Sequence, residues 1–239
     1  MGRIKRYRTA LRRHHRSKGH GIHSPFAYSF VRFVLREQSP YYCYSDMGET
    51  RQAVIDTLRD VKNHPRVMSF KGMKMLFRIT NHFNPLEIMQ VGSCYGLTAT
   101  CMLNVSSQSR LWLYEPHIDA FPVTGNVLAP YLDSIECYNS LDVAFDDYAQ
   151  VVGDDAMPFV LVNSLPESAD FEPLRQRLTS MLQGDCVLVF RNIHRSVAVK
   201  KLWQHLKQVM THGQSFTNEK TGVIVARRSL NLEHFFLWF

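Results

Sequence analysis

Gln90-Val91-Gly92-Ser93-Cys94-Tyr95-Gly96-Leu97-Thr98 closes a short apolar run, Leu86–Val91, and opens an amphipathic stretch. Residues in this order describe a strand that turns through glycine into a helix. Gly92 lets the backbone turn sharply and come close to a ligand. Gly96 permits close packing at the helix start, where free N–H groups favour an anionic group. The spacing is GxxxG, so the GxGxxG dinucleotide fingerprint is not matched. Alone, the loop fits a tight turn without a ligand equally well. The next apolar run, Leu111–Tyr114, ends at Glu115-Pro116. A carboxylate at that strand end can accept both ribose hydroxyls of a nucleoside, or can simply be solvated. Loop and acid together, at this spacing, point to a nucleoside cofactor.

Outward from the loop, further short apolar runs fall at Ile135–Tyr138, Phe159–Val162, Cys186–Phe190 and Gly222–Ala226. Helical patterns near 95–105, 117–130, 141–151, 170–183 and 195–210 alternate with them. This alternation predicts an α/β fold with a mostly parallel sheet covered on both faces. The ending differs. Residues 214–218 and 222–228 are joined by a short turn through Lys220-Thr221-Gly222, which predicts a hairpin. No internal repeat or low-complexity segment occurs.

Ahead of the loop, residues 1–18 are polar, basic and compatible with a helix. Ser24-Pro25 predicts a helix start, with Ser24 as cap and proline in the first turn. Phe26, Phe30, Phe33 and Val34 follow at helical spacing, so Phe26, Phe30 and Phe33 are expected to face inward. Further helices are expected at about 49–62 and 71–83, the latter ending before Asn84-Pro85. The expected division is a basic arm and helical extension over 1–84 and an α/β domain over 85–239.

The 239 residues are 45% hydrophobic and 21% charged, ordinary for a globular chain. No run of about 18 apolar residues suggests a transmembrane helix, and no signal-peptide pattern follows the basic start. Cys43, Cys94, Cys101, Cys137 and Cys186 are odd in number and form no CxxC pair. A disulfide framework or zinc knuckle is therefore not expected, and a cytoplasmic setting is. The formal charge of +7 is uneven. Residues 1–36 hold ten Lys or Arg and no acid, while the rest of the chain has net charge −3. An anionic partner for residues 1–18, either nucleic acid or a membrane surface, follows as an expectation, and with it a membrane-peripheral variant of that location. A solvated basic face is the plainer reading. His14, His15, His20 and His23 lack acidic or cysteine company and read as part of a polar arm.

The loop resembles the Glu-x-Gly-Thr-x-x-Gly-x-Ser motif of O-methyltransferases of the catechol O-methyltransferase type. Gln90 stands at the acidic position, Gly92 and Gly96 at the glycines, Ser93 and Thr98 at the hydroxyls. The whole chain more closely resembles bacterial class I methyltransferase-like proteins known mainly from Bacteroidetes. Those begin with a basic arm and His-Gly-Ile-His-Ser-Pro-Phe, here His20–Phe26. They finish with Glu-His-Phe-x-Leu-x-Phe, here Glu233–Phe239. The resemblance implies a Rossmann-like class I methyltransferase fold, with a mostly parallel seven-stranded sheet and an antiparallel C-terminal hairpin strand. It implies S-adenosylmethionine (SAM) as cofactor, lying over Gly92–Gly96 with its ribose on Glu115. Gln90, Ser93, Asn139 and Ser140 complete the expected cofactor set, the last two near the adenine. Phe235, Phe236, Trp238 and Phe239 are expected to dock the C-terminus.

Three positions depart from that pattern. Gln90 replaces an acid and lacks its charge. Val162-Asn163-Ser164 and Phe190-Arg191-Asn192 stand where metal-dependent relatives carry the acids that hold magnesium. Two amides and a guanidinium offer a hard cation no anionic oxygen, so no metal is expected. Methyl transfer itself is not excluded, because SAM carries an activated methyl and the protein chiefly aligns the nucleophile. The expected catalytic set is His194, Asn163 and Asn192. His194 is the candidate base, since its ordinary pKa lies near neutrality; a capping or partly buried histidine is the competing reading. The expected function is a metal-independent SAM-dependent methyltransferase of unassigned acceptor. The alternative is a silent methyltransferase fold retained as a binding or interaction module.

Overall fold

The computed structural model of the chain describes residues 13–14, 17–115, 121–153, 156–165 and 171–239. Its centre is an eight-stranded sheet of β1 (Glu87–Val91), β2 (Arg110–Tyr114), β3 (Ile135–Tyr138), β4 (Phe159–Val162), β5 (Cys186–Arg191), β6 (Gln214–Thr217), β7 (Thr221–Ala226) and β8 (Glu233–Phe236). The spatial order is β3-β2-β1-β4-β5-β7-β6-β8. β1 to β5 are parallel, and β7 runs antiparallel to both neighbours. The strand order reverses between β1 and β4, the place where open α/β sheets leave a crevice beyond their carboxyl ends.

The eighth strand corrects the seven expected. Residues 233–236 lie parallel to β6, with Phe216 opposite Phe235. Their rings stack 5.1 Å apart. Phe235 and Leu237 are buried and His234 and Trp238 exposed, a period-two pattern. Aromatics on both faces hid that alternation in the sequence.

Side chains alternate along each strand and feed two cores. Ile88, Leu111, Leu161, Val189 and Phe216 enter one face; Met89, Trp112, Val160, Leu188 and Ile224 enter the other. Helices α1 (Pro25–Phe30), α2 (Cys43–Thr57), α3 (Phe70–Phe83) and α4 (Leu97–Leu103) cover the first face, with α5 (Phe121–Leu128) beside them. Helices α6 (Leu141–Val151), α7 (Glu172–Met181) and α8 (Val197–Val209) cover the second. The second helix begins six residues before its expected start near 49 and ends earlier than 62.

Ser24 caps α1, its hydroxyl accepting from Ala27 N at 3.2 Å, with Pro25 in the first turn as the sequence indicates. Phe26 and Phe30 pack inward, but Phe33 is 65% exposed. The cause is local. After Phe30 the helix widens into π-type turns over Val31–Leu35, closed by Arg36 N to Val31 O at 3.1 Å. The wider turn rotates Val31, Val34 and Leu35 into the core and Phe33 out of it.

The arm needs a second correction. The reading of residues 1–18 as a solvated basic face does not hold at Arg13 and Ser17; residues 1–12 and 15–16 lie outside the described part. Arg13 donates to Leu237 O at 3.2 Å and its guanidinium lies 3.6 Å over the Phe236 ring. The buried Ser17 hydroxyl donates to Arg13 O and accepts from Trp238 N, both at 2.6 Å. The end of the arm thus covers β8, which would otherwise be an open sheet edge. Replacing Arg13 with alanine should lower unfolding free energy by about 1.5–3 kcal/mol, the scale of hydrogen bonds from a charged group. Urea unfolding checks it: the midpoint should fall at unchanged slope, and an unmoved midpoint would mean the contact contributes nothing.

Candidate functional site

The loop after β1 is held in an unusual backbone conformation. Gly92, Cys94, Tyr95 and Gly96 all have positive φ, at 80°, 50°, 61° and 82°. Glycine supplies the first and last without strain; Cys94 and Tyr95 are forced by their surroundings. Tyr95 donates its hydroxyl to Pro65 O at 3.0 Å, and Thr98 donates to Ser93 O at 2.7 Å. A side chain at Gly92 would collide with the Ser164 hydroxyl and lie 3.2 Å from Ser164 N; one at Gly96 would meet Val127 at 2.8 Å. Both glycines are therefore required twice over, by dihedral and by space.

Glu115 completes the loop from the end of β2. It is 5% exposed and accepts at Oε2 from Ser93 N at 2.8 Å and from the Ser93 hydroxyl. Ser93 also lies 3.1 Å from the Thr124 hydroxyl of α5. A carboxylate gripped on one oxygen by two donors is fixed in orientation, and it can accept further hydrogen bonds. Gln90, wholly buried, lies beneath the loop and gives its amide to Gly92 O and Thr98 Oγ1, both at 2.8 Å. Its Oε1 has no hydrogen-bond partner among the described residues. Gln90 therefore positions the loop. Asn139 and Ser140 follow β3 at the same carboxyl edge of the sheet, Asn139 exposed and Ser140 half-buried at the start of α6.

Across the crevice, β4 and β5 bring three of the sequence-derived residues together. Asn163 is buried, and its Oδ1 accepts from Arg191. Asn192 donates its side-chain amide to Asn163 O at 3.0 Å. Asn192 itself has φ of 58°, a left-handed conformation that asparagine tolerates, and its carbonyl accepts from Arg195 N at 2.8 Å. The cluster is thus a guanidinium bonded to one side-chain amide, with the second amide held on the backbone carbonyl of the first. Among the described residues no group of three His, Cys, Asp or Glu side chains comes together.

His194 stands apart from that cluster, exposed on the turn between β5 and α8. Partial desolvation pushes its pKa below the ordinary histidine range, and Arg195 and Lys220 push the same way against Glu219. Neutral imidazole at pH 7 can accept a proton. The turn is joined to the β6–β7 connection by Ile193 N to Lys220 O at 3.2 Å. Ser164, Thr124 and Tyr95 were not anticipated. Each reaches the loop from an element distant in sequence or through a contact with Pro65, and no local pattern marks them.

No protein-family model matches the chain, and no curated protein matches it in sequence. Solved structures do match. A methyltransferase from Geobacter sulfurreducens superposes with a TM-score of 0.56 at 14% identity, over 75% of this chain and 88% of that one. The O-methyltransferase from Bacillus cereus in complex with SAH gives 0.52 at 16% identity, over 82% and 96%. TomG from Streptomyces achromogenes, an O-methyltransferase involved in tomaymycin synthesis and solved with SAM, gives 0.51 at 13% identity, over 84% and 94%. The chain has the Rossmann-like fold of these methyltransferases.

Proposed function

We propose that this chain is a SAM-dependent methyltransferase whose transfer step uses no metal ion. One observation carries the reading: the loop Gly92–Gly96 is held in a positive-φ conformation and locked to a carboxylate at the end of the neighbouring strand. A tight turn without a ligand calls for the glycines but not for the buried carboxylate. The residues present fit the cofactor. Gly92 and Gly96 hold the loop in its left-handed conformation, Glu115 is oriented to accept the ribose hydroxyls, and the orphaned Gln90 Oε1 is an acceptor below the loop. Asn139 and Ser140 stand at the strand end suited to the adenine. Bound SAM would supply an electrophilic methyl on its sulfonium.

The protein's own share is alignment and proton removal. The Asn163–Arg191–Asn192 cluster gives a fixed polar wall bearing one positive charge, a poor seat for magnesium and a good one for an anionic or strongly polar acceptor group. His194, neutral near pH 7, takes the proton released when an acceptor hydroxyl is methylated. A second reading, a cofactor binder without turnover, draws on the pairing of Arg191 with Asn163, which engages the guanidinium within the protein itself.

Calorimetry with SAM and S-adenosylhomocysteine tests the cofactor assignment, and a methyl-transfer assay then separates enzyme from binder. Glu115→Ala should weaken SAM binding by about 1–3 kcal/mol, a lost charge-assisted hydrogen bond. Unchanged affinity in that variant would remove Glu115 from the site.

A further inference from the structure

We propose that a second cleft, outside the cofactor loop, binds a small ligand through a multiply charged phosphate group. The cleft encloses about 880 Å³ between the loop at 35–40, α3, the end of the arm and the β6–β7 turn. That size suits a small molecule. Its wall carries Arg13, Arg36, Lys71, Lys74, Arg78 and Lys220 against two acidic side chains, Glu37 and Glu219. Both acids are already engaged: Glu37 accepts from Tyr41 at 2.9 Å, and Glu219 pairs with Arg13 at 3.8 Å. None of the other five cations has an ion pair among the described residues.

The arrangement is built rather than incidental. Lys71, Lys74 and Arg78 recur at three and four residues, so α3 presents them along one stripe. Arg78 is 8% exposed, and its guanidinium is fixed by donation to Val34 O at 2.8 Å and Leu35 O at 3.2 Å. Those carbonyls orient the cation without neutralising it. The buried Tyr44 hydroxyl lies beside Arg78 without a hydrogen bond of normal geometry. Lys74 sits 4.4 Å from the Phe70 ring centre and 5.0 Å from that of Tyr44, over aromatic faces. Holding this many like charges around one concavity is unfavourable unless an anion enters it. Two arginines and three lysines beyond Arg13 exceed what one carboxylate answers, and guanidinium forks match phosphate oxygens. The claim does not depend on the methyltransferase reading.

The test is calorimetric titration of the full chain with pyrophosphate at two salt concentrations. Binding should weaken with added salt. The double variant Lys71→Gln/Lys74→Gln, whose side chains bear little of the core, should weaken it at least about tenfold by removing two charges. Lys200→Gln/Lys201→Gln makes the same charge change on α8 and should leave it within about twofold, since screened charges outside the cleft contribute little. No binding at millimolar pyrophosphate, or equal loss in both double variants, overturns the proposal. Sedimentation with phosphatidylcholine vesicles, with and without phosphatidate, identifies the source. Phosphatidate-dependent binding released by pyrophosphate assigns the phosphate to a lipid headgroup; any other vesicle result, with pyrophosphate bound, assigns it to a soluble ester.

Discussion

Replacing His194 with alanine should lower the methyl-transfer rate by about 10²–10⁴, the usual contribution of a positioned general base, while SAM affinity stays unchanged. The imidazole is two residues beyond the Asn192 end of the polar wall and away from the cofactor loop, so the two effects separate. The pH profile gives an independent check. Desolvation, Arg195 and Lys220 hold the His194 pKa below its ordinary value near 6.5. The active form is the neutral ring, so the rate should rise with pH through an inflection below 6.5 and be level above it. The alanine variant should lose that inflection. A wild-type rate that is flat across this range, or that falls as pH rises, would show that another group takes the proton.

Gly92→Ala should abolish measurable SAM binding, a loss of about 100-fold or more, through two additive costs. The backbone at φ 80° is unfavourable for any L side chain by about 1–2 kcal/mol. The new Cβ would also press on Ser164, whose backbone N and O are each 3.2 Å away and cannot swing aside like a flexible side chain. The loop would shift away from Glu115 and break the pair of Ser93 hydrogen bonds. Gly125→Ala is the matched control. Gly125 lies within α5 with no atom within 4 Å of its added Cβ and no positive φ. That substitution should leave SAM affinity unchanged and raise stability by about 0.4–1 kcal/mol through the unfolded chain. A Gly92→Ala protein that binds SAM within threefold of wild type would show that the loop is a turn and nothing more.

Much of this protein was legible in its linear order. Strand-forming runs at 159–162 and 186–191 are fully or nearly fully apolar because both sheet faces are covered, and such runs stand out without any knowledge of partners. The Ser24-Pro25 start, the stop at Asn84, the glycines at 92 and 96 and the acid at 115 carry their own local chemistry, so their places in the fold could be read from residue type and spacing. The β6–β7 hairpin was marked by its short turn. Other features depend on contacts between distant segments. The period of the α1 helix predicts Phe33 inside, but the π-type turns that follow Phe30 bring Val31, Val34 and Leu35 into the core instead, which spacing alone does not reveal. β8 needs β6 as a partner, and a strand with aromatics on both sides has no distinguishing pattern until that partner is placed. Arg13 and Ser17 look like solvated arm residues in sequence; their function as a cover for β8 comes from segments more than 200 positions away. Gln90 differs from a glutamate only by an NH2 in place of one oxygen, yet only the folded loop shows its amide spent on Gly92 and Thr98. The six cations of the second cleft lie at positions 13 to 220, and nothing short of the tertiary fold brings them around one space.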